Sequence, residues 1–141
     1  MKSILDKKAA DGYAGAHGEP TPVQKEAWPA IAGGKNTLVS APTGTGKTLS
    51  AFLVFIDRLT RQAREGTLTR QLHLIYISPL KSLAADIREN LRRPLDGLAG
   101  QGGEEIEIAI RTGYTPPRDR QRMIKYPPHI LITTPESLYL M

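Results

Sequence analysis

Eight consecutive residues, Ala41-Pro42-Thr43-Gly44-Thr45-Gly46-Lys47-Thr48, combine the groups that bind a chain of phosphates. Gly44 and Gly46 let the backbone turn tightly and bring its N–H groups onto anionic oxygens. Lys47 supplies a full positive charge for the β- and γ-phosphates of a nucleoside triphosphate, and the Thr48 hydroxyl can coordinate Mg2+. The apolar run Thr37-Leu38-Val39 precedes the loop and an amphipathic segment opens at Lys47. The expected order is strand, loop, helix, the context in which such a loop binds phosphate. The helix N-terminus adds partial positive charge. Ala41 stands where the general pattern has its first glycine. A glycine-rich turn that merely precedes a helix is the plainer reading, but pattern and context agree on the phosphate loop. Nucleotide kinases, GTPases and motors all use this loop, so the rest of the chain must decide among them.

Three expected helices begin with a hydroxyl residue and a proline: Thr21-Pro22, Ser78-Pro79 and Thr134-Pro135. A hydroxyl caps orphan N–H groups and proline suits the first helical position, so each predicts a helix start. Two of the three directly follow an expected strand. In a parallel sheet such starts gather along the strands' carboxyl ends, where α/β sheets bind ligands. They are either ordinary caps or a row of anion sites suited to a nucleic-acid backbone. Gln24 is open in the same way. It fits a capping box with Thr21, and its amide could instead read an adenine edge. Arg111, Arg118, Arg120, Arg122 and Lys125 stand against Asp119 alone, either as a solvated helix face or as phosphate ligands. His17, His73 and His129 lack ligand spacing and are assigned no chemistry.

The elements that must position these residues are legible as alternating patterns. Strands are expected at 37–41, 72–78, 106–112 and 129–133. The runs Leu74-Ile75-Tyr76-Ile77 and Ile130-Leu131-Ile132 suit strands buried on both faces of a parallel sheet. Helices are expected at 22–32, 47–64, 80–92 and 116–125, with another starting at Pro135. Leu49, Phe52, Leu53 and Ile56 form the apolar stripe of the second, and Leu80, Leu83, Ala84, Ile87 and Leu91 that of the third. The fold class is therefore α/β, with helices on both faces of a mostly parallel sheet. Residues 1–20 hold Gly12, Gly15 and Gly18 with little apolar periodicity and are expected to form a loose arm.

The chain has 141 residues, enough for a domain with a core of its own. It carries 19 Lys+Arg against 14 Asp+Glu, a net charge of +5, which favours an anionic partner such as nucleic acid or nucleotide. No cysteine is present, which excludes disulfides and cysteine metal sites. No apolar run approaches bilayer length, and the first residues lack the apolar core of a secretory signal. A cytoplasmic location without membrane contact is the expectation, and no obligate protein partner is evident.

The order of these motifs resembles that of superfamily 2 helicases of the Lhr (large helicase-related) type, close to the DEAD/DEAH-box helicases. The residues concerned are Pro20-Thr21-Pro22-Val23-Gln24, then 41–48, then Ser78-Pro79-Leu80-Lys81-Ser82-Leu83. Arg111-Thr112-Gly113 and Thr115-Pro116-Pro117 follow, then Pro128 to Leu138 with Thr134-Pro135-Glu136. The likeness covers about residues 20–141, and the combination is far more specific than any piece. It implies an ATP-dependent nucleic-acid helicase or translocase built on two RecA-like domains, with residues 21–141 the N-terminal part of the first. It implies that Gln24 selects adenine and that Thr43, Gly44, Thr45, Gly46, Lys47 and Thr48 hold ATP and Mg2+. Lys47 and Thr48 are then the catalytic candidates. Ser78, Pro79, Lys81, Arg111, Thr112, Gly113, Thr134, Pro135 and Glu136 would line the path of single-stranded DNA or RNA. Relatives of this type mostly act in DNA repair or on DNA–RNA hybrids. Tyr114 departs from the pattern, standing where relatives usually carry an acid.

The resembled family continues with a strand ending in an Asp-Glu-x-His box, whose acids hold Mg2+ and activate water. No such box occurs up to Met141. Phosphoryl transfer depends on positioned charges, so these 141 residues alone are expected to show no helicase activity and negligible ATPase activity. Strands from beyond residue 141 would flank the phosphate-loop strand, and without them apolar edges are expected to lie open. By itself the chain would then be a non-catalytic nucleotide- and nucleic-acid-binding fragment. A small-molecule kinase is the remaining alternative, and it would require a lid and an acceptor site for which the sequence offers nothing.

Overall fold

The computed structural model describes residues 18–42, 47–79, 88, 92 and 105–141. In chain order these form α1 (Pro22–Ala32), α2 (Lys47–Glu65), β1 (Leu74–Ile77), β2 (Ile108–Arg111), α3 (Pro117–Lys125), β3 (Ile130–Thr133) and α4 (Pro135–Tyr139). The expected helix 80–92, the arm up to residue 17, Lys81 and the loop residues Thr43, Gly44, Thr45 and Gly46 lie outside the described residues.

The three strands form one parallel sheet in the order β1-β3-β2. β3 is central, and its residues Ile130, Leu131, Ile132 and Thr133 are all buried, as the continuous apolar run implies. The register aligns Ile77 with Thr133 on one side and Arg111 with Thr133 on the other. Bonds beyond the strands extend it at both ends. Ser78 N–H donates to the Thr133 carbonyl at 3.0 Å, and the N–H groups of His129 and Ile130 both donate to the Glu107 carbonyl. The buried His129 ring then accepts the Glu107 N–H on Nδ1 at 2.9 Å. That is a structural role for a histidine given no chemistry, and it pins the start of β2 to β3.

α2 supplies the largest share of the core. Phe52, Leu53, Ile56, Leu59 and Ala63 recur at helical spacing and pack with Ile108, Ile130 and Ile132 of the sheet and Trp28 of α1. The Phe52 ring, in the second turn of α2, lies 4.9 Å from that of Tyr76 near the end of β1. α2 therefore runs back across the sheet, with Lys47 toward the carboxyl ends of the strands. Gly66 ends it at φ +67°, a left-handed conformation that a β-carbon would disfavour. Residues 66–73 then lead into β1. On the other face of β1, Ile75 and Ile77 are 43% and 47% exposed.

The expected strand at 37–41 is not formed. Residues 35–42 carry no regular structure, and the Leu38 side chain is 94% exposed. The apolar pattern supplies strand propensity, but a strand exists only as one side of a ladder. No strand among the described residues pairs with this segment, so its propensity has nothing to act through. Among the described residues, the other expected strands and helices appear within a few residues of their predicted bounds.

Candidate nucleotide and nucleic-acid site

α2 begins at Lys47, as the phosphate-loop pattern requires, and has no acidic residue in its first turn to oppose an anion. Lys47 is partly buried, and its Nζ donates to the Ala41 carbonyl. The ammonium thus ties the two ends of the loop together, and a phosphate oxygen would compete with that carbonyl for it. Thr48, the second residue of the helix, is exposed, so its hydroxyl is accessible to a hydrated cation held by phosphate oxygens. That fits Mg2+, which keeps several waters and takes few protein ligands. Among the described residues no group of three His, Asp or Glu side chains could hold a metal by itself.

Gln24 makes the capping box. Its Oε1 accepts the Thr21 N–H at 3.0 Å, and Thr21 Oγ1 accepts the Gln24 N–H at 3.3 Å. The side chain is 1% exposed. The local reading of this residue is therefore realised, and the carbonyl end of its amide is engaged by its own helix start.

The remaining motifs meet at one edge. Because β1, β3 and β2 are parallel and in register, Ser78, Thr134 and Thr112 each follow the last residue of neighbouring strands. Residues 78–79, 134–136 and 111–113 thus stand side by side at the carboxyl ends of the sheet. They contribute different surfaces. Ser78 and Thr134 are buried, whereas Pro79, Gly113, Pro135 and Glu136 are exposed and Arg111 is half-buried. Thr134 caps α4, accepting the Ser137 N–H at 3.4 Å and donating to Ser137 Oγ at 3.1 Å. Its hydroxyl shapes the edge without facing outward. Glu136 offsets the positive end of this five-residue helix, so α4 contributes little to anion binding.

Two residues of this edge were not distinguished by the sequence. Thr115 Oγ1 accepts the Thr112 N–H at 2.9 Å and lies 3.4 Å from the Ile110 carbonyl. Arg120, one of five basic residues in an apparently uniform run, reaches back from α3 to the Thr115 and Gly113 carbonyls, both at 2.8 Å. The usable signal was its place in the first turns of a helix that follows a tight Thr-Gly-x-Thr loop. Arg118 and Arg122 are exposed, as a solvated helix face predicts.

Comparison with known proteins gives the family and the fold. The chain is 52% identical over 132 residues to the Lhr helicase/probable uracil glycosylase of Mycolicibacterium smegmatis, covering 89% of this chain and 9% of that protein. It is 47% identical over 146 residues to the ATP-dependent helicase Lhr-Core of Methanothermobacter thermautotrophicus, covering 100% of this chain and 17% of that protein. The chain thus spans a small part of the length of these relatives. Among solved structures, Mycobacterium smegmatis helicase Lhr bound to ssDNA and AMP-PNP superposes with a TM-score of 0.88 at 44% identity, over 99% of this chain and 18% of that one. The fold is accordingly that of a RecA-like helicase domain, of the α/β phosphate-loop class. Residues 21–141 match the family model described as DEAD/DEAH box helicase, and with that match over most of its length the chain belongs to the DEAD/DEAH box helicase family.

Proposed function

We propose that this chain is the ATP- and nucleic-acid-binding segment of an ATP-dependent DNA or RNA helicase or translocase of the Lhr type. Residues 21–141 are the N-terminal part of its first RecA-like domain, and residues 1–20 are an arm. The observation that carries the reading is the shared end of the sheet. The parallel register gathers residues 78–79, 111–113 and 134–136 there, and α2 starts toward that end with Lys47 and Thr48. Triphosphate and nucleic-acid backbone would then lie over one set of loops, so that hydrolysis at one can be felt at the other.

In this assignment Lys47 exchanges the Ala41 carbonyl for a phosphate oxygen, and the Thr48 hydroxyl holds Mg2+. The loop N–H groups of Thr43, Gly44, Thr45 and Gly46 cradle the phosphates, and Gln24 selects adenine. Arg111, Thr112, Gly113, Ser78, Pro79, Lys81, Thr134, Pro135 and Glu136 line the strand's path. The relatives' names and the ssDNA and AMP-PNP in the Lhr complex support ATP and a nucleic-acid strand as the ligands. A DNA-repair role and a cytoplasmic location are part of this proposal. Among the described residues no helix is long and apolar enough to cross a membrane.

Because the 141 residues contain no Asp-Glu-x-His box, they bind ATP without appreciable turnover when tested alone. The test is binding of a fluorescent ATP analogue with Mg2+ to the chain and to Lys47→Ala. A charge-assisted bond of about 1.5–3 kcal/mol predicts roughly a 10- to 100-fold loss of affinity. Equal affinity for the two proteins removes Lys47 from its role.

A further inference from the structure

Arg120 is used in a way that a solvated basic helix does not require. It is the fourth residue of α3, and its Nε donates to the Thr115 carbonyl while its Nη2 donates to the Gly113 carbonyl, each at 2.8 Å. Inside that fork the loop also closes on itself. Thr112 N–H donates to Thr115 Oγ1 at 2.9 Å, Thr115 N–H to the Thr112 carbonyl at 3.1 Å, and Tyr114 N–H to Thr112 Oγ1 at 3.3 Å. The same loop carries Arg111, Thr112 and Gly113.

We propose that Arg120 is a positioning residue for nucleic-acid binding: it fixes the 111–115 loop in its receiving shape and does not itself touch the nucleic acid. This rests on the nucleic-acid reading of that loop given above. A carbonyl oxygen and a phosphate oxygen are both acceptors and repel one another. Arg120 draws the Gly113 and Thr115 carbonyls onto its guanidinium, so that they are held by a cation of the protein's own. It also fixes the backbone from which Arg111 projects, so that less freedom is lost when a phosphate arrives. The planar fork suits this task, because two N–H groups on one edge of a guanidinium reach two carbonyls at once. A lysine offers one ammonium on a flexible stem.

The test compares the full chain with Arg120→Met, Arg120→Lys and Arg111→Ala. Without nucleic acid, amide hydrogen exchange at Thr112, Tyr114 and Thr115 should quicken roughly 10-fold in Arg120→Met and less in Arg120→Lys. Exchange in β2 and β3 should stay unchanged, which separates a loosened loop from a lost fold. Binding of single-stranded oligonucleotide should weaken about 5-fold in Arg120→Met with its salt dependence intact, since no phosphate contact is removed. In Arg111→Ala the salt slope should fall by about one ion. Unchanged exchange at the loop amides overturns the proposal. So does a salt slope reduced in Arg120→Met as in Arg111→Ala, which makes Arg120 a direct phosphate ligand. If the unaltered chain binds no oligonucleotide, the nucleic-acid reading itself falls and takes this role with it. If the chain binds and Arg120→Met binds equally well, only the role of Arg120 falls.

Discussion

Thr133 shows how much one hydroxyl contributes at the centre of this sheet. It is buried, sits in the middle strand, and donates to the Arg111 carbonyl at 2.8 Å. That bond joins the ends of β3 and β2 where the candidate nucleic-acid residues begin. Thr133→Val keeps the shape and leaves a carbonyl without its donor, so it should lower stability by about 1 kcal/mol, read by chemical denaturation. An unchanged midpoint would mean that water replaces the hydroxyl without cost. The capping pair Thr21 and Gln24 was legible from the sequence because its partners lie three residues apart. The Thr133 bond spans 22 residues, and no local pattern announces it. Arg120 fell between these cases: its partners are only five and seven residues away, but the bend that brings them together is made by the loop and not by a periodic element. Gln24 remains the residue whose two readings compete most directly, since an adenine edge must share an amide whose oxygen already serves the Thr21 N–H.

Among the elements, α2 carries most of the structural weight. Its stripe was readable because helical periodicity is a property of one segment alone. Phe52 is buried between α2 and Tyr76 of β1. Phe52→Ala should cost about 3–5 kcal/mol, a large part of the stability of a domain this size. Loss of near-ultraviolet dichroism at 37 °C is the expected outcome, and a native-like spectrum would mean the site collapses around the smaller side chain. The segment 37–41 was misread for the complementary reason. Its residue types state a preference for extended structure, but pairing is a property of two segments. The three strands that did form all contact β3 or are β3.

For the whole molecule, the sheet has a covered side and a less covered one. Ile75 and Ile77 are partly exposed on β1, an edge strand among the described residues, and Leu38 stands almost fully in solvent. Apolar side chains beside an unpaired strand edge are a template for association. The double substitution Ile75→Thr and Ile77→Thr keeps β-branched residues and should lower light scattering of concentrated protein with little loss of secondary structure. Scattering that does not change would place the association surface elsewhere. The net charge of +5 opposes self-association at low salt, so the contrast should be clearest at high ionic strength.

The parallel register also sets a ruler. Neighbouring strands are roughly 5 Å apart, so the loops after β1 and β2 are separated by about 10 Å, with the loop after β3 between them. Stacked nucleotides advance roughly 3.4 Å along one strand. The row therefore measures off about three nucleotide steps. On the proposed path an oligomer of about four nucleotides, three steps long, would then be the shortest able to touch both outer loops at once.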